Sequence, residues 1–297
     1  MDLIIQIIRW AQRRANAPRI AAHPNPYGVR IASDIPYMDD GLDAHRLDVY
    51  SPAGAKGPLP VILEVHGGGY LACFKEVNAW HGQYLAAGGF HVVNMNYTLC
   101  PEGSASSILN EMAAALDWIH RNRETYGFDT GRIALTGDSA GGHFVLLAAA
   151  AYGPGPLAGE LGVVRPRVLP RAFAASCPEG SFMWRRLPRN LPSTLLFFIL
   201  HKYTLDRKCA SVTSYDHYMD EDFPKVWFCT SPTDPLLYGH TRAMHEYMEK
   251  NRIPHEYREY VGTENRLGHV FNVLWPDWPE SRQANDDMLD YFRRSLN

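Results

Sequence analysis

RIALTGDSAGGHFVLLAAAA, residues 132–151, decides how the rest of this chain is read. Ile133, Ala134, Leu135 and Thr136 make a short apolar run of strand character. It passes through Gly137-Asp138-Ser139-Ala140-Gly141-Gly142 straight into an alanine- and leucine-rich block with the composition of a buried helix. A G-x-S-x-G sequence at a strand-to-helix junction is the setting of a nucleophile elbow. The turn is strained and brings strand and helix into contact, so the residues two before and two after the serine must be small. The five-residue pattern alone arises by chance in roughly one sequence in ten of this composition, so the strand–turn–helix context carries the weight. Ser139 is the candidate nucleophile.

Upstream, the apolar strand LPVILEV (59–65) leads directly into His66-Gly67-Gly68-Gly69-Tyr70. A chance HGGG is expected at roughly 0.007 per sequence of this composition, which makes it the more specific signal. Glycines let a backbone approach a developing anion, and each pre-aimed N–H contributes about 3–4 kcal/mol to holding it. The N–H groups of Gly67 and Gly68, with that of Ala140, are assigned to this oxyanion hole, and His66 to bracing the loop by hydrogen bonding. A phosphate cradle is the alternative, but no G-K-[ST] is present and no G-x-G-x-x-G follows the first strand.

Apolar runs alternate with helical patterns from about residue 30, which predicts an α/β fold. Its mostly parallel central sheet should have about eight strands, with helices on both faces. Residues 31–38 and 45–50 form an antiparallel opening pair around the turn at 39–41. Further strands are expected at 59–65, 90–97, 132–137, 171–177, 225–230 and 255–261. Helices are expected at 76–89, 105–125, 140–151, 239–251 and 279–296. Residues 1–297 read as a single domain, with cap elements at about 1–25 and in the 178–222 interruption.

A nucleophilic serine needs a base and an orienting acid, in the order Ser…Asp/Glu…His for this fold. In an open parallel sheet the site lies at the carboxyl ends of the strands. Asp234, in TSPTDPLL, follows the 225–230 strand there, and His269, in ENRLGHVFN, follows 255–261. His255 begins its strand at the other end, and His240 and His245 belong to a helix. Glu264 is the rival acid. Asp138 is expected to shape the elbow, and Cys73 and Cys100 to pack.

HGGGY (66–70), NYTLCPE (96–102) and GDSAGG (137–142) together resemble the hormone-sensitive-lipase branch of the α/β hydrolases, the bacterial family IV esterases. The resemblance runs from about residue 30 to 296. It departs at Thr98, where the family usually has arginine, at Cys100, where it has alanine, and throughout 178–222. It implies a serine carboxylesterase acting on a small-molecule ester with a short acyl chain, without a cofactor. It also supports His269, which stands in the family's G-H-x-F context, and it is compatible with a homodimer. An amide or formamide hydrolase of the arylformamidase kind, or a lipase, would use the same parts. A non-catalytic receptor on this fold commonly lacks the serine or the histidine, and here all three triad candidates stand. The run TLLFFIL (194–200) is too apolar to lie open in water. Phe197 and Phe198, with Trp184 and Tyr70, are therefore expected to wall the acyl pocket.

Bulk properties remove other classes. A net charge of -3 provides no basic field for nucleic acid. Five cysteines, widely spaced and without a CxxC pair, fit reduced thiols and a cytoplasmic protein. Glu179, Asp206, Asp216 and His217 have no metal-ligand spacing, so no metal is implied. At the N-terminus Leu3, Ile4, Ile7, Ile8 and Ala11 share one helical face, in a stretch too short and too interrupted to span a bilayer. A helix packed on the core or over the pocket is expected, with a membrane-surface helix the alternative.

Overall fold

The computed structural model describes residues 3–22, 24–180, 218–220, 222–263 and 267–297. Most of the expected 178–222 cap lies outside them, as do Trp184, Phe197, Phe198 and Glu264.

Among the described residues one eight-stranded sheet organises the chain. Its strands are β1 (Arg30–Pro36), β2 (Arg46–Ser51), β3 (Leu59–Val65), β4 (His91–Met95), β5 (Phe128–Asp138), β6 (Ala172–Ser176), β7 (Val226–Thr230) and β8 (His255–Glu259). Their spatial order is β1-β2-β4-β3-β5-β6-β7-β8. β2 pairs antiparallel with β1 and β4, and every other pairing is parallel. The helices in chain order are α1 (Leu3–Ala22), α2 (Ala79–Ala87), α3 (Ala105–Arg121), α4 (Arg123–Tyr126), α5 (Ala140–Ala151), α6 (Leu157–Leu161), α7 (Tyr238–Lys250), α8 (Phe271–Leu274) and α9 (Pro279–Leu296). The α/β class, the opening antiparallel pair and the eight strands agree with the sequence expectation. β5 begins four residues earlier than expected, because Phe128 and Asp129 already pair with Leu59 and Pro60 ahead of a register shift.

Sequence dictates these elements locally. β3 is apolar throughout its centre because both faces are covered: Val61, Leu63 and Val65 enter one core cluster, and Ile62 enters the other. Each such side chain contributes about 1.5–3 kcal/mol relative to exposure. α3 starts at a reciprocal capping box, in which the Ser107 N–H donates to Ser104 Oγ and the Ser104 N–H donates to Ser107 Oγ. Pro279 opens α9, where a missing N–H costs nothing.

Helix α1 lies against the protein largely through polar contacts. Of its apolar residues only Ile5 is fully buried, while Leu3, Ile4, Ile7 and Trp10 are exposed. Arginines anchor it instead. Arg9 donates to the carbonyls of Leu71 (2.8 Å) and Cys100 (2.9 Å) and pairs with Glu102 at 2.7 Å. Arg19 donates to Val77 O at 2.8 Å, and the Arg13 guanidinium lies 4.8 Å from the Phe74 ring centroid. The helix therefore crosses the segment that follows the HGGG loop. No described helix is long and apolar enough to cross a membrane.

Candidate active site

The parallel strands β3 to β8 run in one direction, so the turns that leave their carboxyl ends gather on one edge. Ser139 sits between β5 and α5 at φ 51°, ψ -117°, a left-handed backbone that an L-residue adopts only under constraint. The surroundings impose it. The Ser139 N–H donates to Ser176 O at 2.9 Å, and Ser139 O accepts the N–H groups of His143 and Glu179. A Cβ on Gly141 would lie 2.1 Å from Val65 O and 2.6 Å from His66 O, so the first turn of α5 rests on the end of β3. Only glycine permits that approach.

Three side chains from three turns meet here. The His269 Nε2 lies 2.9 Å from Ser139 Oγ, and its Nδ1 lies 2.9 Å from Asp234 Oδ2. Asp234 can only accept, so Nδ1 carries the proton and Nε2 presents its lone pair to the serine hydroxyl. The other carboxylate oxygen, Oδ1, takes the N–H groups of Leu236 (2.8 Å) and Leu237 (3.1 Å), which fixes the acid from the backbone. Burial pushes the Asp234 carboxyl up, but His269 and these N–H groups outweigh it and hold it below the usual carboxylate range. Burial likewise opposes protonation of His269. Asp234 outweighs that too, with smaller help from Asp138 and Glu179, so the imidazole titrates above its ordinary value. His255 opens β8 at its amino end and His245 lies beside it, both away from this edge, whereas the buried His240 stands in the first turn of α7.

The HGGG loop follows β3 on the same edge. Gly68 adopts φ 111°, and a Cβ there would lie 2.2 Å from Ala72 O, so no other residue fits. His66 is buried, donates Nδ1–H to Gly67 O at 2.8 Å and stacks on Tyr97 with centroids 4.4 Å apart. Burial lowers its pKa, leaving a neutral brace. Gly67 requires a correction. Its N–H donates to Asp138 Oδ1 at 2.9 Å and is thereby committed to the elbow, so it is unavailable to an oxyanion. Asn78 Nδ2 donates to the same oxygen at 2.8 Å, and behind it His81 meets the buried Glu64 at 2.6 Å. Asn78, His81 and Glu64 carried no motif, and the sequence reading passed over them.

Tyr70 is buried, with its ring edge-on to Phe144 and its hydroxyl against His143 Nδ1. At the departure from the family pattern, the Thr98 hydroxyl meets His45 Nε2 at 3.1 Å and the Thr98 N–H donates to Glu111 at 2.7 Å. Cys73, Cys100, Cys177 and Cys229 are free thiols.

Residues 47–164 match the BD-FAE family model. Esterase B of Lactobacillus rhamnosis superposes with a TM-score of 0.86 at 26% identity, covering 98% of this chain and 94% of that one. Carboxylesterase NlhH of Mycobacterium tuberculosis is 35% identical over 35% of this chain and 33% of its own length. A probable isoprenylcysteine alpha-carbonyl methylesterase of Arabidopsis thaliana is 33% identical over 33% of this chain and 21% of its own. The chain thus spans between about a fifth and a third of these curated relatives. Sheet order and structural similarity give the chain the α/β-hydrolase fold, and part of its sequence is similar to carboxylesterases.

Proposed function

We propose that the protein is a serine carboxylesterase acting on short-chain acyl esters. The observation that carries the reading is the unbroken relay from Ser139 Oγ through His269 to Asp234, with 2.9 Å at each link. In the first half-reaction His269 Nε2 takes the Ser139 proton as Oγ attacks the ester carbonyl. Asp234 keeps the imidazole in the required tautomer and stabilises the imidazolium. His269 then returns the proton to the departing alcohol. Water enters, is deprotonated by the same imidazole, and hydrolyses the acyl-enzyme.

With the Gly67 N–H committed to Asp138, the oxyanion falls to the next two donors of the loop, Gly68 and Gly69, together with Ala140 N–H. Ala140 begins α5, where the first-turn N–H groups have no partner within the helix and the helix dipole favours negative charge. This replaces the Gly67–Gly68–Ala140 assignment. Among the described residues the four cysteines are free thiols, which agrees with a reducing, cytoplasmic setting.

Ser139→Ala tests the reading. A nitrophenyl butyrate assay should lose about 10⁴-fold or more in kcat with the fold intact, and an organophosphonate should label the wild-type chain at Ser139 alone. A variant retaining a tenth of wild-type turnover would remove Ser139 as nucleophile. Acyl esters from acetyl to palmitoyl, run beside an aryl formamide, separate a short-chain esterase from the lipase and formamidase alternatives.

A further inference from the structure

Far from Ser139, at the amino end of β8, three potential ligands converge across the turn that joins α7 to β8. His245 and Glu249 are one helical turn apart on α7, and His255 opens the strand. His245 Nδ1 lies 2.8 Å from His255 Nε2, and Glu249 Oε1 lies 3.6 Å from that same Nε2. The three ligand atoms all fall within 4.8 Å of one another.

Both rings are held in place. His255 donates Nδ1–H to Ile253 O at 2.8 Å, which leaves the lone pair on Nε2, pointing at the cluster. A carbonyl bonded to the far ring nitrogen is the arrangement that orients metal-binding histidines. The His255 ring also stacks on Phe228, with centroids 5.6 Å apart. The His245 ring stacks on Tyr257 at 4.2 Å. Neither imidazole can turn away without breaking an aromatic contact. Glu249 reaches the pair from the solvent side, with a side chain 67% exposed, so a fourth position faces water.

We propose that His245, Glu249 and His255 form a binding site for a divalent cation of the zinc class, completed by water. Two histidines, one carboxylate and a water match the ligand set of tetrahedral zinc. Zn–N bonds of about 2.0–2.1 Å place two tetrahedral ligand nitrogens roughly 3.3 Å apart, about half an ångström more than the present contact. His245, on the half-buried side of α7, supplies that movement. On binding, the His245 proton resides on Nε2, so that Nδ1 offers its lone pair. The ion clamps the carboxyl end of α7 to β8, the strand that leads into the His269 segment.

The proposal is tested on the full chain, stripped with chelator and titrated with Zn²⁺ against a chromophoric competitor. His269→Ala serves as the background, which removes the catalytic imidazole as a rival ligand. One equivalent should bind, Tm should rise, and Co²⁺ should give the visible absorption of a tetrahedral ion. His245→Ala and Glu249→Ala alter surface-accessible positions and should leave the metal-free fold intact. Each should weaken Zn²⁺ by more than the roughly 10–100-fold that loss of an outer hydrogen-bond partner costs. Unchanged Zn²⁺ affinity in both variants, or no stoichiometric binding in the His269→Ala chain, overturns the site.

Discussion

Asp138 stands next to the nucleophile, yet the structure gives it a partner set that points away from the chemistry, and removing it has a calculable effect. In Asp138→Ala the Gly67 N–H and the Asn78 amide, both buried, lose their common acceptor. Hydrogen bonds to a charged group contribute about 1.5–3 kcal/mol each, so about 3–6 kcal/mol of stability is at stake. That is a large part of the roughly 5–15 kcal/mol that holds a typical domain together. One effect opposes it, since a buried carboxylate is itself costly and its removal relieves that cost. Asp138→Asn separates the two. It keeps an acceptor oxygen without the charge, and neutral bonds are about half as strong as charge-assisted ones. Urea unfolding followed by tryptophan fluorescence should therefore rank wild type above Asn and Asn above Ala. The released loop also misplaces Gly68 and Gly69, so kcat in the alanine variant should fall by about 10²–10³-fold, the effect of losing one oxyanion donor. If Asp138→Ala unfolds within about 0.5 kcal/mol of wild type, the ordinary range for a surface change, the carboxylate is not the loop's anchor.

Asp234→Asn should lower kcat by about 10³–10⁴-fold through loss of tautomer control. The same variant should shift the pH profile. Activity needs neutral His269 and so falls as pH drops through its pKa. Asp234 raises that pKa, so its removal should move the acidic limb to lower pH. A limb that stays in place or moves upward would contradict the assignment. Arg9→Ala cuts three bonds that hold α1 across the post-HGGG segment. Limited proteolysis should then cleave within residues 3–22 before the core unfolds, and equal resistance of wild type and variant would refute that anchoring. Gly141→Ala should abolish soluble, active protein, because the added methyl meets the Val65 and His66 carbonyls, and backbone cannot yield as a side chain can. Soluble expression with wild-type turnover would show that the elbow has room.

The parts of the site that depend on strand direction could be read from the sequence. Apolar runs such as LPVILEV and RIALTG mark parallel strands, and a parallel sheet orders its turns by edge. That was enough to choose His269 over His255 and to put Asp234 on the same edge, with Glu264 still the rival acid. Donor assignment within HGGG could not be read this way, because it depends on Asp138, 71 residues downstream and folded back against the loop. Composition does not record which of three consecutive N–H groups a distant carboxylate takes. The same holds for Glu64 and His81, a charged residue inside an apolar strand and a histidine inside a helix, whose pairing spans 17 residues. For α1, periodicity found an apolar face, but the helix is held by guanidinium groups reaching backbone carbonyls. Such contacts leave no periodic trace.

The distance in sequence between nucleophile and base bears on how the protein is made. Ser139 and His269 are 130 residues apart and meet only when β8 has joined the sheet. At synthesis rates of about 5–20 residues per second, roughly 7–26 s pass between the appearance of the serine and that of the imidazole it meets in the fold. Throughout that interval a ribosome-bound chain carries an ordinary alcohol, unreactive toward the esters around it. The order of residues along the chain thus delays assembly of the relay until most of the sheet has been synthesised.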